Sequence, residues 1–258
     1  MINKFNPKIL IVGYGVVGKA IAKSLSPYYN LAIKDKNLFL IDDTNVGADA
    51  VIICVNADTT ENGDIDTTNL EQALSDVKNS IGEKPIMVKT TLPPNIVKTL
   101  LPKNAIYSPE FLRSASAYED FQDQKFMILG GATNIIFWKN VFQYLDATFI
   151  ETTAESASWA KYLHNSYLAS KVSWFHEMAY VSKKLNEENN FDKALKIIGH
   201  YDDTIGNTHL YAPNAEGTYG YSGGCFPKDM KAFQKYTDSK LLKMIMEYNN
   251  EQQQHRPT

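Results

Sequence analysis

Lys8-Ile9-Leu10-Ile11-Val12-Gly13-Tyr14-Gly15-Val16-Val17-Gly18, running on into Lys19 to Leu25, reads as strand, glycine turn and helix. In that setting a G-x-G-x-x-G spacing has a physical meaning: the glycines let the backbone approach a pyrophosphate lying on the helix N-terminus. The next strand, Leu31-Ala32-Ile33, ends at Asp35. That acid lies about 20 residues past the glycines, where such a fold places the carboxylate that binds an adenosine ribose 2′-hydroxyl. A carboxylate repels a 2′-phosphate, so Asp35 favours NAD over NADP, although Lys34 and Lys36 flank it.

Outward from this unit the same alternation continues. Ala50 to Val55 is an apolar run suited to a parallel strand buried on both faces, which makes Cys54 core. Leu70 to Ile81 carries apolar residues at helical spacing. Ile86-Met87-Val88 is a fourth strand ending in Lys89-Thr90-Thr91-Leu92-Pro93-Pro94, before a helix over Asn95 to Leu101. Ala105-Ile106-Tyr107 is a fifth, ending in Ser108-Pro109-Glu110-Phe111-Leu112-Arg113; Phe126 to Gly131 and Thr148 to Ile150 complete the set. Hydroxyls and acids at such strand ends lie on the ligand-binding edge of a doubly wound sheet. By residue type alone Thr91 serves equally to start a helix and Glu110 as a solvated loop acid.

From Thr153 the character changes. A pattern without Gly or Pro runs to about Asn190, a rod of roughly 54 Å suited to a spine or a subunit interface. Lys161 and Asn165 share one of its faces, which periodicity alone reads as a solvated polar strip, and Leu163, Leu168, Val172 and Phe175 are expected to form an exposed apolar face for a homodimer through helix 154–190. A short helix follows over Asp192 to Ile198, then an irregular stretch from Tyr201 to Gly220. Met230 to Tyr236 and Ser239 to about Asn250 read as two last helices, with Asn249 to Gln254 expected to fray. The expected fold is therefore α/β: a Rossmann-like doubly wound parallel sheet over residues 1–150, then an all-helical domain over 151–258.

Just before the last two helices lies Gly220-Tyr221-Ser222-Gly223-Gly224-Cys225-Phe226-Pro227-Lys228-Asp229. A cysteine after two glycines, with a lysine and an aspartate just beyond, is open to a substrate, and positive charge favours the thiolate that attacks a carbonyl. The same residues also suit a glycine-rich turn around an inert cysteine.

A net charge of -3 and a pI near 6.0 give no basic footprint for nucleic acid or an anionic membrane. Two distant cysteines are not a secreted disulfide framework, and no His, Cys, Asp or Glu cluster has metal-ligand spacing. Lys4, Lys8 and the apolar run to Gly18 imitate a signal peptide, but the nucleotide fingerprint accounts for the same residues. A cytoplasmic protein is expected.

The glycine fingerprint, Thr-Thr-Leu-Pro, Ser-Pro-Glu-Phe-Leu-Arg, the Lys161/Asn165 pair and Gly-Gly-Cys-Phe-Pro-Lys-Asp, in that order, resemble the UDP-glucose/GDP-mannose dehydrogenase family from end to end. The resemblance implies oxidation of a nucleotide-sugar C6 alcohol twice, to the acid, with two NAD. It implies that Cys225 adds to the intermediate aldehyde and then carries a thioester. Lys161 and Asn165 would stabilise the oxyanion, while Thr91, Glu110 and Asp229 arrange and activate the hydrolytic water. Gly13, Gly15, Val16, Val17, Gly18, Asp35 and Lys228 would hold NAD.

The departures concern substrate grip. Ser114 stands where the family has a second glutamate and Thr204 where it has an arginine, and Asn56-Ala57-Asp58 replaces a proline-threonine-proline turn. The segment between the second and third strands is short, and the chain stops soon after its last helices, where the family continues into a nucleotide-clasping domain. Besides a minimal sugar-nucleotide dehydrogenase, two readings follow: an oxidation of another alcohol, and a weakly catalytic partner subunit.

Overall fold

The computed structural model describes residues 5–36, 47–214 and 217–254. Lys4 and most of the connection between the second and third strands lie outside them. The chain falls into two compact units, Met1–Asp58 with Ile65–Lys161 and Thr59–Asp64 with Tyr162–Thr258.

The first unit is built on a seven-stranded sheet. Its strands are β1 (Ile9–Val12), β2 (Leu31–Lys34), β3 (Ala50–Ile53), β4 (Ile86–Val88), β5 (Ala105–Tyr107), β6 (Phe126–Gly130) and β7 (Thr148–Thr152), in the order β2-β1-β3-β4-β5-β6-β7. Side chains of a strand alternate between faces, and both faces are covered. Ile9, Ile11, Ile52, Met87 and Ile106 pack with Ile21 and Leu25 of α1 (Val16–Leu25) and with Trp138 of α5 (Ile135–Val141). Leu10, Val12, Val51, Ile53 and Val88 pack with Leu70 and Val77 of α2 (Thr68–Ile81) and Val97 of α3 (Pro94–Leu100).

Two features depart from the sequence expectation. The pairing of β5 with β6 is antiparallel, through Tyr107 and Gly130, whereas every other pair is parallel. A 3-10 turn over Ser114–Ser116 and the short helix α4 (Ala117–Gln122) also occupy a stretch to which no element was assigned.

The helix α6 (Ala154–Lys184) has 31 residues, not the 36 expected, and measures about 46 Å. It stops where Asn186 takes a φ of 57°, and the chain restarts as α7 (Glu188–Tyr201). In the second unit Phe175 of α6 packs with Leu195 and Leu210, so Phe175 is core, and Val172 is buried as well. The expected apolar face is corrected accordingly: the large apolar side chains exposed along this part of α6 are Leu163, Tyr167 and Trp174. The unit ends in α8 (Phe226–Thr237) and α9 (Lys240–Gln252). Asn249 and Gln252 are buried within α9 rather than frayed.

The segment Thr59–Asp64 leaves the first unit after β3 and packs on α8. The Thr59 hydroxyl donates to the Lys228 carbonyl at 3.1 Å, and a Cβ at Gly63 would sit 3.0 Å from that of Lys235. No helix among the described residues is long and apolar enough to cross a membrane.

Candidate active site

The carboxyl ends of β1, β3, β4 and β5 share one edge because these strands are parallel. At the switch point between β1 and β3, the position where such sheets bind ligands, lies a cavity of about 640 Å³ lined by Gly13, Gly15, Asp35, Asn56, Asp58 and Asp76 among others. Gly13 has a φ of +93°, and a Cβ there would meet the Cys54 carbonyl carbon at 2.7 Å. At Gly18 a Cβ would lie 2.0 Å from the Gly13 carbonyl oxygen. Gly15, by contrast, is the N-cap of α1 and faces open space. The turn is therefore closed against its own backbone on one side and bare on the other, at a helix N-terminus where phosphate is favoured. Val16 and Val17 form the first turn of α1, so their amide hydrogens point out of that terminus. The Asp35 carboxylate accepts the Tyr14 amide at 2.6 Å, which fixes it beside the glycines, and Lys34 pairs with Asp76 at 2.7 Å. These residues fit a dinucleotide with an unphosphorylated ribose.

Further along the same edge the unit buries two lysines, Lys89 and Lys161, each 4% exposed. Lys89 follows β4 and donates to the Ser108 hydroxyl at 3.1 Å. Burial pushes its ammonium down to about 8, with Lys161 adding to the effect and Cys54 and Glu110 opposing it. Burial also pushes the Cys54 thiol up to about 12. Lys161 lies 4.0 Å from Glu110 Oε1 and 5.2 Å from the centre of the Phe111 ring. The other Glu110 oxygen accepts the Leu112 amide at 2.6 Å. Glu110 and Lys161 are thus brought together as an ion pair. The Thr-Thr-Leu-Pro turn is pinned from both directions: Thr90 donates to the Val55 carbonyl at 2.7 Å and Ser158 of α6 donates to the Leu92 carbonyl at 2.6 Å. Thr91 is left partly exposed on that turn.

In the second unit Cys225 is exposed and is the N-cap of α8, so the helix begins at Phe226 and not near Met230. The positive end of a helix dipole is where an anionic sulfur is stabilised. One turn on, Asp229 is 2% exposed and donates its amide to the Cys225 carbonyl at 2.9 Å. Its carboxylate accepts Asn165 Nδ2 and Lys228 Nζ, both at 2.6 Å. Asn165, itself 4% exposed, is therefore held in one orientation by a buried charge. Lys228 is engaged with Asp229 within this unit. Ser114 is exposed, and the Thr204 hydroxyl and amide both turn back on the Asp202 carboxylate.

Sequence reasoning passed over Lys89, Ser108 and the residues that fasten the cysteine loop. Asn249 accepts the Tyr221 amide at 2.7 Å and Asn214 donates to the Gly220 carbonyl at 2.9 Å. The available signals were a lysine immediately after a short buried strand and amide side chains in otherwise amphipathic helices.

The NAD binding domain of the UDP-glucose/GDP-mannose dehydrogenase family matches residues 19–145, and the central domain of that family matches residues 155–251. A putative UDP-glucose 6-dehydrogenase of Bacillus subtilis is 26% identical over 95% of this chain and 68% of its own length. The UDP-glucose 6-dehydrogenase of Rickettsia felis is 28% identical over 97% of this chain and 57% of its own length. Among solved structures, a UDP-glucose dehydrogenase from Pyrobaculum islandicum has a TM-score of 0.83 at 22% identity, covering 97% of this chain and 69% of that one. A 3-hydroxyisobutyrate dehydrogenase from Mycobacterium tuberculosis has a TM-score of 0.71 at 14% identity, covering 95% and 94%. Such low identities show the fold alone.

Proposed function

This chain belongs to the UDP-glucose/GDP-mannose dehydrogenase family, and from that premise we propose that it is an NAD-dependent sugar-nucleotide 6-dehydrogenase that converts the C6 alcohol of UDP-glucose to the carboxylate. Residues 1–150 would hold the cofactor and residues 151–258 supply the nucleophile. NAD, when bound, supplies the hydride acceptor, one equivalent for each of two oxidations. The Cys225 sulfur adds to the C6 aldehyde left by the first oxidation, giving a thiohemiacetal. Loss of the second hydride gives a thioester, and water releases the acid and restores the thiol. Lys161 and Asn165 would donate to the C6 oxygen as negative charge gathers on it, an effect strongest where water is excluded. Glu110, with Thr91 positioning the water, would take the proton in hydrolysis. Asp229 holds Asn165 and Lys228 in place, and would help to arrange and activate the hydrolytic water.

The observation that carries this reading is the exposed Cys225 at the head of α8 with the buried Asp229–Asn165 bond one turn along. The test is NADH formation by the purified chain with UDP-glucose, GDP-mannose and their N-acetyl relatives. Two NADH per sugar are expected, and Cys225→Ala is expected to abolish acid formation. Unchanged turnover in that variant, or one NADH per sugar, overturns the thioester route. A second reading, oxidation of another alcohol that carries no nucleotide, is favoured by Thr204. Its hydroxyl and amide are both engaged with Asp202, so it offers no charge to a nucleotide phosphate.

A further inference from the structure

The loop that delivers Cys225 is gripped at Gly220 by a histidine whose protonation state the geometry dictates. His176 of α6 is 2% exposed. The Gly220 amide donates to its Nδ1 at 2.9 Å, and its Nε2 lies 3.0 Å from the Tyr211 carbonyl oxygen. A backbone N–H only donates and a carbonyl only accepts, so Nδ1 is bare and Nε2 carries the hydrogen. Gly220 is also confined on its other side. Its φ is +85°, and a Cβ there would meet Asn249 Oδ1 at 2.5 Å. Gly220 therefore has little room to re-form that bond elsewhere.

We propose that His176 is a positioning residue for the Gly220–Cys225 loop, and that it grips the loop only as the uncharged tautomer. A proton on Nδ1 would set an N–H against the Gly220 N–H, leaving a buried donor without its acceptor and two like dipoles in contact. Asn214 and Asn249 would still hold the loop, so the consequence is loosened placement of Cys225 rather than unfolding. The other titratable groups arranged around this part of α6 are tyrosines and glutamates, Glu188 among them through Tyr219. Tyr219 meets the imidazole edge-on at 6.2 Å, with Tyr180 against Tyr219. Glu177, next to His176 on α6, is bonded by Tyr248 of α9. Burial holds Tyr219 and Tyr248 above the usual phenol range. Burial likewise keeps the imidazole below its ordinary 6.5, against the opposing pull of the Tyr211 carbonyl. The unfolded chain therefore takes the proton first: the stability this bond contributes is complete above about pH 6.5 and is lost as pH falls through the lower folded value, where the grip itself is released.

This inference rests on Cys225 being the nucleophile for its effect on turnover, but not for its effect on the loop. Hydrogen exchange of the Gly220 amide, corrected for the intrinsic rate, is measured on the full chain from pH 7.5 to 5.0. Wild type is expected to lose protection roughly tenfold across that range, the equivalent of one hydrogen bond. His176→Asn, whose Oδ1 accepts the same amide and does not titrate, is expected to hold constant protection. If turnover is found, the acid limb of kcat/KM is expected to move or vanish in His176→Asn, which a merely structural role would not do. Protection at Gly220 that is flat with pH in wild type overturns the inference, and that measurement stands even if the variant fails to fold. Flat exchange with intact turnover would remove His176 and leave the proposed reaction in place. Absent turnover with pH-dependent exchange would do the reverse.

Discussion

Replacing Lys89 with methionine tests whether the strand-end edge really buries a poorly compensated ammonium. The side chain is 4% exposed, and its pKa falls from the ordinary 10.5 to about 8, mainly through burial. At 1.36 kcal/mol per pH unit this is roughly 3 kcal/mol of destabilisation near neutrality. Methionine has a similar shape and no charge, but leaves Ser108 without the donor it has at 3.1 Å, a loss of about 1 kcal/mol. The variant should therefore be more stable than wild type by about 2 kcal/mol at pH 7. Between about 8 and 10.5 the unfolded chain holds a proton on Lys89 that the folded chain has released. Stability from this group therefore rises with pH across that window. Cys54 acts in the opposite sense: folded, it keeps its proton to about 12, against 9.0 unfolded, so its contribution falls above pH 9. Lys89 only lowers the Cys54 value, so without it folded Cys54 still keeps its proton through pH 9 and its contribution cancels between the two proteins; the variant's advantage should shrink by about 1 kcal/mol from pH 7 to pH 9. Urea unfolding followed through the fluorescence of Trp138, which is fully buried in the same unit, reads both quantities. A variant less stable at pH 7, or an advantage that does not change with pH, refutes the reasoning.

Gly18→Ala places a methyl 2.0 Å from the Gly13 carbonyl oxygen, so the glycine turn must open. NAD affinity by calorimetry should fall about tenfold or more, and an unchanged Kd would mean the turn does not hold the cofactor. Leu163, Tyr167 and Trp174 leave an apolar face exposed along α6, which suits the homodimer proposed for this helix. Sedimentation should show a dimer in wild type and a monomer in Tyr167→Glu; a wild-type monomer removes the proposal.

The first unit was largely legible because its signals are local. Runs such as Ile9-Leu10-Ile11-Val12 and Ala50-Val51-Ile52-Ile53 can only be buried strands, and the glycines declare the turn between β1 and α1. The reversal at β6 was not legible, since nothing in Phe126-Met127-Ile128-Leu129 encodes strand direction. The end of α6 was hidden because the left-handed residue is Asn186, with no Gly or Pro to mark it. At α8 the signals were present but passed over: Pro227 in the first turn and Asp229 behind it mark a helix starting beside Cys225. Asn249 looked like part of a fraying polar end because its bonds to Tyr221 span 28 residues. The burial of Lys89 is tertiary in the same way, and composition alone places a lysine in water.

The excursion of Thr59–Asp64 onto α8 limits how the polypeptide can be dissected. The backbone passes from one unit to the other after Asp58, returns after Asp64 and passes again after Lys161. No single protease cut, and no truncation from either end, can therefore release both units whole. A fragment beginning at Tyr162 lacks the Thr59 hydroxyl on the Lys228 carbonyl and the backbone packed against Lys235. A fragment ending at Lys161 carries those six residues with nothing to dock on. Swapping the half that carries Cys225 between relatives would need a two-segment graft, with the hexapeptide and the helices exchanged together.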